Sequence, residues 1–286
     1  MTFRNYQNSD YQLLCDFLIE VNKDNKEHIN WNWARLEWMI GHPFYQEELS
    51  NLIGLWFDDT HLVGVAIFDM YLGEASCLTL PKYEYLFEEM LGYAYTNLKD
   101  ENGLGVAIND KNSKEAEIAK KLGFLVSEQK EVIMELSLAN ELDPNLKEGF
   151  RFYDVDPKRD IDEIQWVIYQ GFDHGNNREE FEKENAPLKE RPHADPYLHL
   201  LIEDNKGNKV AFCTMWYDKR TDYSYLEPLC VIPECRKLGL GKSIVYELCN
   251  RVRSMGAKRV FVISDSDFYK KLGFEKQETY TFYWKK

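Results

Sequence analysis

The sequence predicts an α/β (α+β) protein of two similar domains, each a sheet with flanking helices. Three observations lead to this fold class. Strand-like and helix-like patterns of apolar residues alternate along the chain. The pentapeptide Lys-Lys-Leu-Gly-Phe at residues 120–124 recurs unchanged at 270–274, an offset of 150 residues, which is about the size of one domain. The length of 286 residues also fits two domains of ordinary size.

The second half of the chain alternates between strand and helix patterns. Runs rich in β-branched and aromatic residues, bounded by turn residues, predict strands at 150–155, 197–203, 209–217, 223–231 and 259–264, then two last strands of which the final one is 279–284. Apolar residues at helical spacing predict helices at 161–172 and 241–255, and a short helix follows at 267–272. Gly256 is expected to end the second helix. The polar stretch 174–196 begins with a predicted helix start at 175–177.

The first half of the sequence predicts nearly the same order of strands and helices. Strands are expected at 3–6, 52–57, 61–69, 74–80 and 105–108, and helices at 11–21, 31–40 and 83–98. The repeated pentapeptide falls at the same place in both orders. We therefore expect a duplicated domain, with domains 1–145 and 146–286 and a linker near 140–148 that contains Asp143-Pro144-Asn145.

The charge is unevenly distributed between the halves. Residues 1–145 hold 11 Lys and Arg against 25 Asp and Glu, whereas residues 146–286 hold 24 of each, so the net charge of −14 belongs to the first half. This disfavours a nucleic-acid partner, which needs a basic surface. The acidic half is either a solvated surface or a means of attracting a cationic substrate.

Cysteine and histidine spacing predicts no metal site. The six cysteines form no C-x-x-C pair and no zinc spacing, and the six histidines do not cluster with them. No apolar run approaches the ~20 residues of a membrane span, and the N-terminus lacks a signal-peptide pattern. We expect free thiols, no membrane partner and a reducing, cytoplasmic compartment.

The chemistry is concentrated between the strand 223–231 and the helix 241–255, where residues 231–243 read VIPECRKLGLGKS. A loop between a strand and a helix directs successive backbone N–H groups at one point, beside the positive end of the helix dipole. Gly239 and Gly241 allow the backbone to approach an anion closely, and Arg236 and Lys242 add positive charge. This pattern is suited to a pyrophosphate.

A P-loop is a competing interpretation of the same residues. Gly241-Lys242-Ser243 resembles its end, and Asp265 after a buried strand could bind a metal. A P-loop, however, requires a glycine where this chain has Arg236. Only 21 residues follow Asp265, too few for the rest of a nucleotide-hydrolysing domain. The sequence therefore disfavours an NTPase.

The spacing Arg236-x-x-Gly239-x-Gly241, after a strand and Pro233, resembles the acetyl-CoA signature of the GNAT superfamily of N-acyltransferases. The segment Tyr269–Phe274 resembles a later motif of that family, and the order of elements agrees over residues 150–286. The resemblance implies domains with a mixed, mostly antiparallel sheet flanked by helices. It also implies that acetyl-CoA is the co-substrate and that the reaction is direct acetyl transfer to a primary amine, without a metal.

The same resemblance implies where the cofactor binds. The pyrophosphate of CoA would lie on Arg236, Lys237, Leu238, Gly239, Leu240, Gly241 and Lys242. Pantetheine would run between the fourth and fifth strands, which splay apart in the family. Pro228 in the fourth strand suits such a splay because it has no N–H for a neighbouring strand. The connection 264–269 departs from the family pattern, since it is short and lacks the Asn often found there.

Two catalytic residues follow from the family pattern. Tyr269 matches the position that assists the departing thiolate, although it could also be a packed aromatic residue. Glu227 lies on the fourth strand where the family often has a base, and its alternative is an exposed strand carboxylate. Asp222 and Glu234 are weaker candidates. The oxyanion donor would be a backbone N–H near Leu229, Cys230 and Val231.

The first half resembles a degenerate GNAT domain. Its fourth strand is followed by Leu80-Pro81-Lys82-Tyr83, with neither the glycines nor the arginine of the signature, and by Glu84, Glu88 and Glu89, which would repel a pyrophosphate. Ala119 replaces Tyr269, although Asn109 matches a family-like Asn. We expect this half to be structural or substrate-shaping.

The main alternative to an enzyme is a sensor that binds acetyl-CoA without an acceptor. The intact loop together with Tyr269 favours an enzyme. Two aromatic segments, 31–35 and 42–45, either line an acceptor cleft or belong to the core, and the core is expected. The acceptor is expected to be a small cationic amine, because the acidic charge lies in the half that would face it.

Overall fold

A computed structural model describes residues 1–24, 28–156, 159–184 and 192–286. Its centre is one mixed, mostly antiparallel sheet of twelve strands, flanked by helices. The strand order is β1-β2-β3-β4-β5-β12-β6-β11-β10-β9-β8-β7, numbered along the chain. The predicted α/β (α+β) class is confirmed, with both halves of the chain joined in a single sheet.

The first half contributes six strands and four helices. The strands are β1 Thr2–Asn5, β2 Gly54–Asp58, β3 His61–Asp69, β4 Tyr71–Thr79, β5 Leu104–Asn109 and β6 Leu125–Ser137. The helices are α1 Tyr11–Asp24, α2 Trp33–Gly41, α3 Phe87–Asn97 and α4 Ser113–Lys121. Asn32 caps α2 with its side chain, which accepts from the N–H groups of Ala34 and Arg35.

The second half repeats this order. Its strands are β7 Phe150–Asp154, β8 His199–Asp204, β9 Lys209–Tyr217, β10 Tyr223–Val231, β11 Arg259–Ile263 and β12 Glu275–Lys285. Its helices are α5 Ile161–Gly171, α6 Arg178–Glu184, α7 Leu240–Met255 and α8 Asp267–Lys271. As predicted, Gly256 ends α7 in the left-handed conformation, with φ of 115°.

The two halves exchange their last strands. β6, from the first half, pairs with β11 of the second half from Arg259↔Ser137 to Ile263↔Ile133. β12, from the second half, lies between β5 and β6 and pairs antiparallel with both. Each half therefore completes its sheet with a strand from the other half.

The apolar cores also combine residues from both halves of the chain. One core packs α1–α3 and the strands of the first half, and it includes Tyr280 and Tyr283 from β12. A second core surrounds α7 and includes Met134, Leu136 and Leu138 from the end of β6 and just beyond it. Because neither core is complete without the other half, the halves stabilise each other.

Most predicted elements are present within a few residues of their expected bounds, with three differences. The C-terminus forms one long strand, β12, instead of two. The predicted helix 83–98 begins as a 3₁₀ turn, Pro81–Leu86, in which Tyr83 has non-helical backbone angles, and continues as α3. The helix α4 and the strand β6 were not predicted. Part of the polar stretch 174–196, residues 185–191, lies outside the described residues. Within the described ranges, no helix combines the length and apolarity needed to cross a membrane.

Candidate functional site

A cleft opens between β10 and β11. The two strands run parallel and pair only from Tyr223↔Arg259 to Tyr225↔Phe261. Beyond Tyr225, β10 pairs only with β9. The register of this pairing shifts between Leu226 and Leu229, around Pro228. The bulge expected at Pro228 is present. Leu229, Cys230 and Val231 therefore form an edge that β11 does not cover.

The glycine loop lies at the mouth of this cleft. After Val231, a 3₁₀ turn over Pro233–Cys235 leads into a loop in which Lys237 and Gly239 have φ of 62° and 86°. Left-handed residues interspersed with ordinary ones turn successive N–H groups toward one side, and α7 begins directly afterwards at Leu240. A Cβ on Gly239 would meet nothing within 4 Å, so the backbone conformation and the open approach account for the glycine there.

The two cations of the loop differ in their surroundings. The guanidinium of Arg236 donates to the carbonyls of Val231 and Gly171, at 3.2 and 2.9 Å, and pairs with Asp173 at 2.9 Å. Arg236 thus joins the loop to the C-terminal end of α5. Lys242 is exposed on the first turn of α7, with its ammonium 5.0 Å from the ring centre of Tyr246.

Tyr269 lies on α8, which follows β11 and begins at the cap Ser266. Its ring is partly buried and packs edge-on against Phe268 and Phe274. Burial, with the nearby Cys213 and Glu227, raises the pKa of its hydroxyl. A phenol with a raised pKa stays protonated at neutral pH, so this hydroxyl can donate a hydrogen bond.

Glu227 is partly buried on β10 and accepts a hydrogen bond of 2.7 Å from the hydroxyl of Tyr225. Burial raises the pKa of its carboxyl, while the hydrogen bond from Tyr225 and the charge of Arg35 oppose the shift. A carboxylate whose pKa is moved toward neutrality is a better proton acceptor at neutral pH.

The first half brings a charged cluster to the same place. Arg35 of α2 forms ion pairs with Asp69 at the end of β3 and with Glu131 of β6, the latter at 3.0 Å. The charges of all three residues act on Glu227, and those of Arg35 and Glu131 also act on Tyr225. Sequence reasoning missed this cluster, although charged residues within apolar stretches were a signal for it.

The remaining candidates lie in other surroundings. Asp222 pairs with Arg259 at 3.0 Å, and Glu234 is exposed on the turn before the loop. Trp31 and Trp33 are 1% and 3% exposed, which confirms them as core residues. In the second aromatic segment Tyr45 is buried, but Phe44 is 58% exposed, so the core expectation is wrong for Phe44.

One group among the described residues has the donors for a metal ion. Cys15, Glu37 and His193 place ligand atoms within 4.8 Å of one another. Nδ1 of His193, however, lies 2.5 Å from the buried carboxylate of Glu37, so these two residues already pair and join the halves.

Comparison with solved structures identifies the fold. A tandem GNAT protein from the clavulanic acid biosynthesis pathway superposes with a TM-score of 0.62 at 12% identity, covering 99% of this chain and 97% of that one. A GCN5-related N-acetyltransferase from Sphaerobacter thermophilus gives 0.60 at 14% identity, covering 99% and 95%. The fold is therefore that of tandem GNAT proteins.

Comparison of sequences gives the family. Residues 159–274 match the model of the acetyltransferase (GNAT) family. The chain is 31% identical over 134 residues to the uncharacterised N-acetyltransferase YjhQ of Escherichia coli, covering 44% of this chain and 70% of that protein. This chain belongs to the GNAT acetyltransferase family and is an acyltransferase.

Proposed function

We propose that the protein transfers the acetyl group of acetyl-CoA directly to a primary amine of a small cationic molecule. In this proposal residues 146–286 form the catalytic domain, whereas residues 1–145 are structural and shape the acceptor site. The observation that carries this proposal is the cleft between β10 and β11, which opens onto the glycine loop and the start of α7. The cleft lies beside the carboxyl group of Glu227, and the transfer needs such a group to accept the proton of the attacking amine.

The residues of the cleft fit acetyl-CoA. The loop Lys237–Gly241 and the first turn of α7 offer backbone N–H groups to a pyrophosphate, with Lys242 close by. The uncovered edge at Leu229, Cys230 and Val231 offers backbone groups to an extended pantetheine arm, as an added strand would. In this proposal Arg236 shapes the loop through its bonds to α5 and also adds positive charge.

Each chemical requirement has a candidate group. A protonated amine cannot attack, so Glu227 would accept its proton. A backbone N–H near Leu229 to Val231 would stabilise the charge that develops on the carbonyl oxygen. The hydroxyl of Tyr269 would hydrogen-bond to or protonate the departing thiolate.

The charges around Glu227 support a cationic acceptor. Asp69 and Glu131 of the first half lie near this carboxyl, and Arg35 is shared between them. Counting these four side chains as ionised, three negative charges face one positive charge. An approaching ammonium is attracted to such a surface, which agrees with the charge of −14 carried by the first half.

Mass-spectrometric screening of primary amines with acetyl-CoA tests this function. We expect an acetylated product from at least one small cationic amine and a turnover reduced by about 10²–10⁴-fold in Glu227→Gln. Glu234→Gln is the matched control, since Glu234 is an exposed carboxylate beyond the end of β10, and it should leave turnover unchanged. Binding of acetyl-CoA without any acetylated amine would instead favour a sensor.

A further inference from the structure

The first half contains a second cleft at the place that corresponds to the one between β10 and β11. β4 and β5 also run parallel and pair at only two positions, Glu74↔Gly105 and Ala75↔Val106. Where they diverge, a cavity of about 330 Å³ opens. Residues 76–79 of β4 and Asn109 of β5 line it, together with Tyr280 of the exchanged strand β12. Such a volume falls within the range of small-molecule sites.

The mouth of this cavity is unsuited to CoA. β4 leads into the 3₁₀ turn Pro81–Leu86 instead of a glycine loop. Glu84 in that turn lines the cavity, where a pyrophosphate would otherwise approach the backbone. A carboxylate at this place repels a phosphate and attracts a cation.

The charged side chains of the cavity are paired except for one carboxyl. Lys111 pairs with Glu278 at 2.7 Å, and Lys114 pairs with Glu84 at 3.6 Å. Glu115, on the first turn of α4, lines the cavity, and no ion pair of 4 Å or less involves it within the described residues. Burial and the charge of Glu84 raise its pKa to about 7, against the opposing effects of Asn112 and Lys114. A cation that binds next to such a buried carboxyl stabilises its ionised form.

We propose that this cavity, which we term the β4–β5 site, binds a small polar molecule through a primary ammonium group that pairs with Glu115. The surrounding hydroxyl and amide groups of Ser76, Thr79 and Asn109 would bind the rest of such a ligand. The site is separate from the acetyl-transfer site and does not depend on the acceptor proposed above.

Calorimetric titration of the full chain at pH 8, with CoA saturating, tests the proposal using 1,4-diaminobutane, spermidine and ethanolamine. At least one of these amines should bind with an affinity that Glu115→Gln lowers by about tenfold or more, since hydrogen bonds to charged groups are strong. Glu117→Gln, an exposed position on the same helix, is the matched control and should bind like the parent. Glu227→Gln should bind the amine with the affinity of the parent, which distinguishes the β4–β5 site from the acceptor site.

A second measurement follows from the pH dependence of this binding. An alkyl ammonium keeps its charge between pH 6 and 8, whereas Glu115 ionises in that range. Affinity should therefore rise from pH 6 to pH 8 in the parent and stay flat in Glu115→Gln. The other titratable groups around the cavity are Cys77 of β4, Glu84 of the 3₁₀ turn, Lys111 before α4, Lys114 of α4, and Glu278 and Tyr280 of β12.

Three outcomes would overturn the proposal. The first is the failure of all three amines to bind at pH 8. The second is binding that Glu115→Gln leaves unchanged, with a native circular dichroism spectrum confirming that the variant is folded. The third is a second equivalent of CoA bound per chain that excess amine displaces, because this would make the cleft a cofactor site. None of these outcomes bears on acetyl transfer at Glu227.

Discussion

The exchanged strands predict that the second half cannot fold alone. A fragment of residues 146–286 keeps every residue of the glycine loop, together with Glu227 and Tyr269. It lacks β6, however, so β11 loses its antiparallel partner from Arg259 to Ile263. It also loses Met134, Leu136 and Leu138, which are 1%, 6% and 3% exposed and pack in the core around α7.

The size of this loss follows from the buried side chains. Removing one buried Leu or Met side chain costs roughly 2–5 kcal/mol, so three cost on the order of 6–15 kcal/mol before the strand's hydrogen bonds are considered. The free energy of unfolding of a domain is typically only about 5–15 kcal/mol. The fragment should therefore be unfolded or molten, and the full chain should unfold in one cooperative transition.

Circular dichroism melting and CoA calorimetry on three chains test this expectation. The full chain should show one transition and bind CoA. Residues 146–286 should show neither a transition nor binding, whereas the longer fragment 125–286 regains β6 and should recover both in part. A cooperative transition and full CoA affinity in residues 146–286 would refute the reasoning.

Further predictions concern single residues. Gly241→Asp should abolish CoA binding in calorimetry, because it places a carboxylate at the start of α7 and a Cβ 3.2 Å from the ring of Phe268; retained affinity would contradict the proposed cofactor loop. Tyr269→Phe should lower kcat by about 10²–10⁴-fold with little change in acetyl-CoA affinity, and unchanged kcat would leave Tyr269 a packing residue. Since Glu227 must be ionised to accept a proton and burial raises its pKa, kcat should rise with pH above the ordinary carboxyl range; a profile that is flat from pH 5 to 8 would exclude this base. Glu115→Gln should raise the free energy of unfolding at pH 8 by up to about 3 kcal/mol but not at pH 4, because a folded-state pKa of about 7 costs stability once the unfolded carboxyl ionises; denaturant titrations at both pH values measure this difference. The rate at low acceptor and saturating acetyl-CoA should fall as salt rises, and indifference to salt would make the acidic half only a solvated surface.

Local patterns were sufficient to predict the order of most elements, apart from α4 and β6. β3, β9 and β10 have the bounds that alternation and turn residues predict, and Gly256 ends α7. The glycine loop was predictable because its signal is also local: a strand end, two glycines and a helix start lie within a few residues of one another.

The strand exchange was not predictable in this way. The first residues of β6, 125–131, are largely polar, so the segment shows the strand pattern only in its second part. Which strand lies beside β11 is decided by packing between distant segments. An offset of 150 residues in the pentapeptide indicates duplication, but it does not tell whether each copy keeps its own last strand.

The charged cluster near Glu227, which we propose faces the acceptor, was also not predictable from local patterns. Arg35, Asp69 and Glu131 are far apart in sequence and meet only because α2, β3 and β6 converge near β10. The family pattern pointed to Glu227 as a candidate base. Burial and Tyr225 of the same strand have the largest effects on its pKa, but the charged groups that act on it, Arg35, Asp69 and Glu131, all come from the other half. Arg236 illustrates the reverse case, because its motif position was evident while its bonds to Gly171 and Asp173 of the α5 end were not.

These contacts explain why a half without a glycine loop would be retained. The first half supplies β6 beside β11, and without it β11, one wall of the proposed acetyl-CoA cleft, would be an open edge. Glu131 lies on this same strand, so the segment that closes the second sheet also carries a carboxylate to the region of Glu227. Folding of the cleft and placement of Glu131 therefore depend on one strand, and a substitution that displaces β6 should impair both stability and affinity for the proposed cationic acceptor.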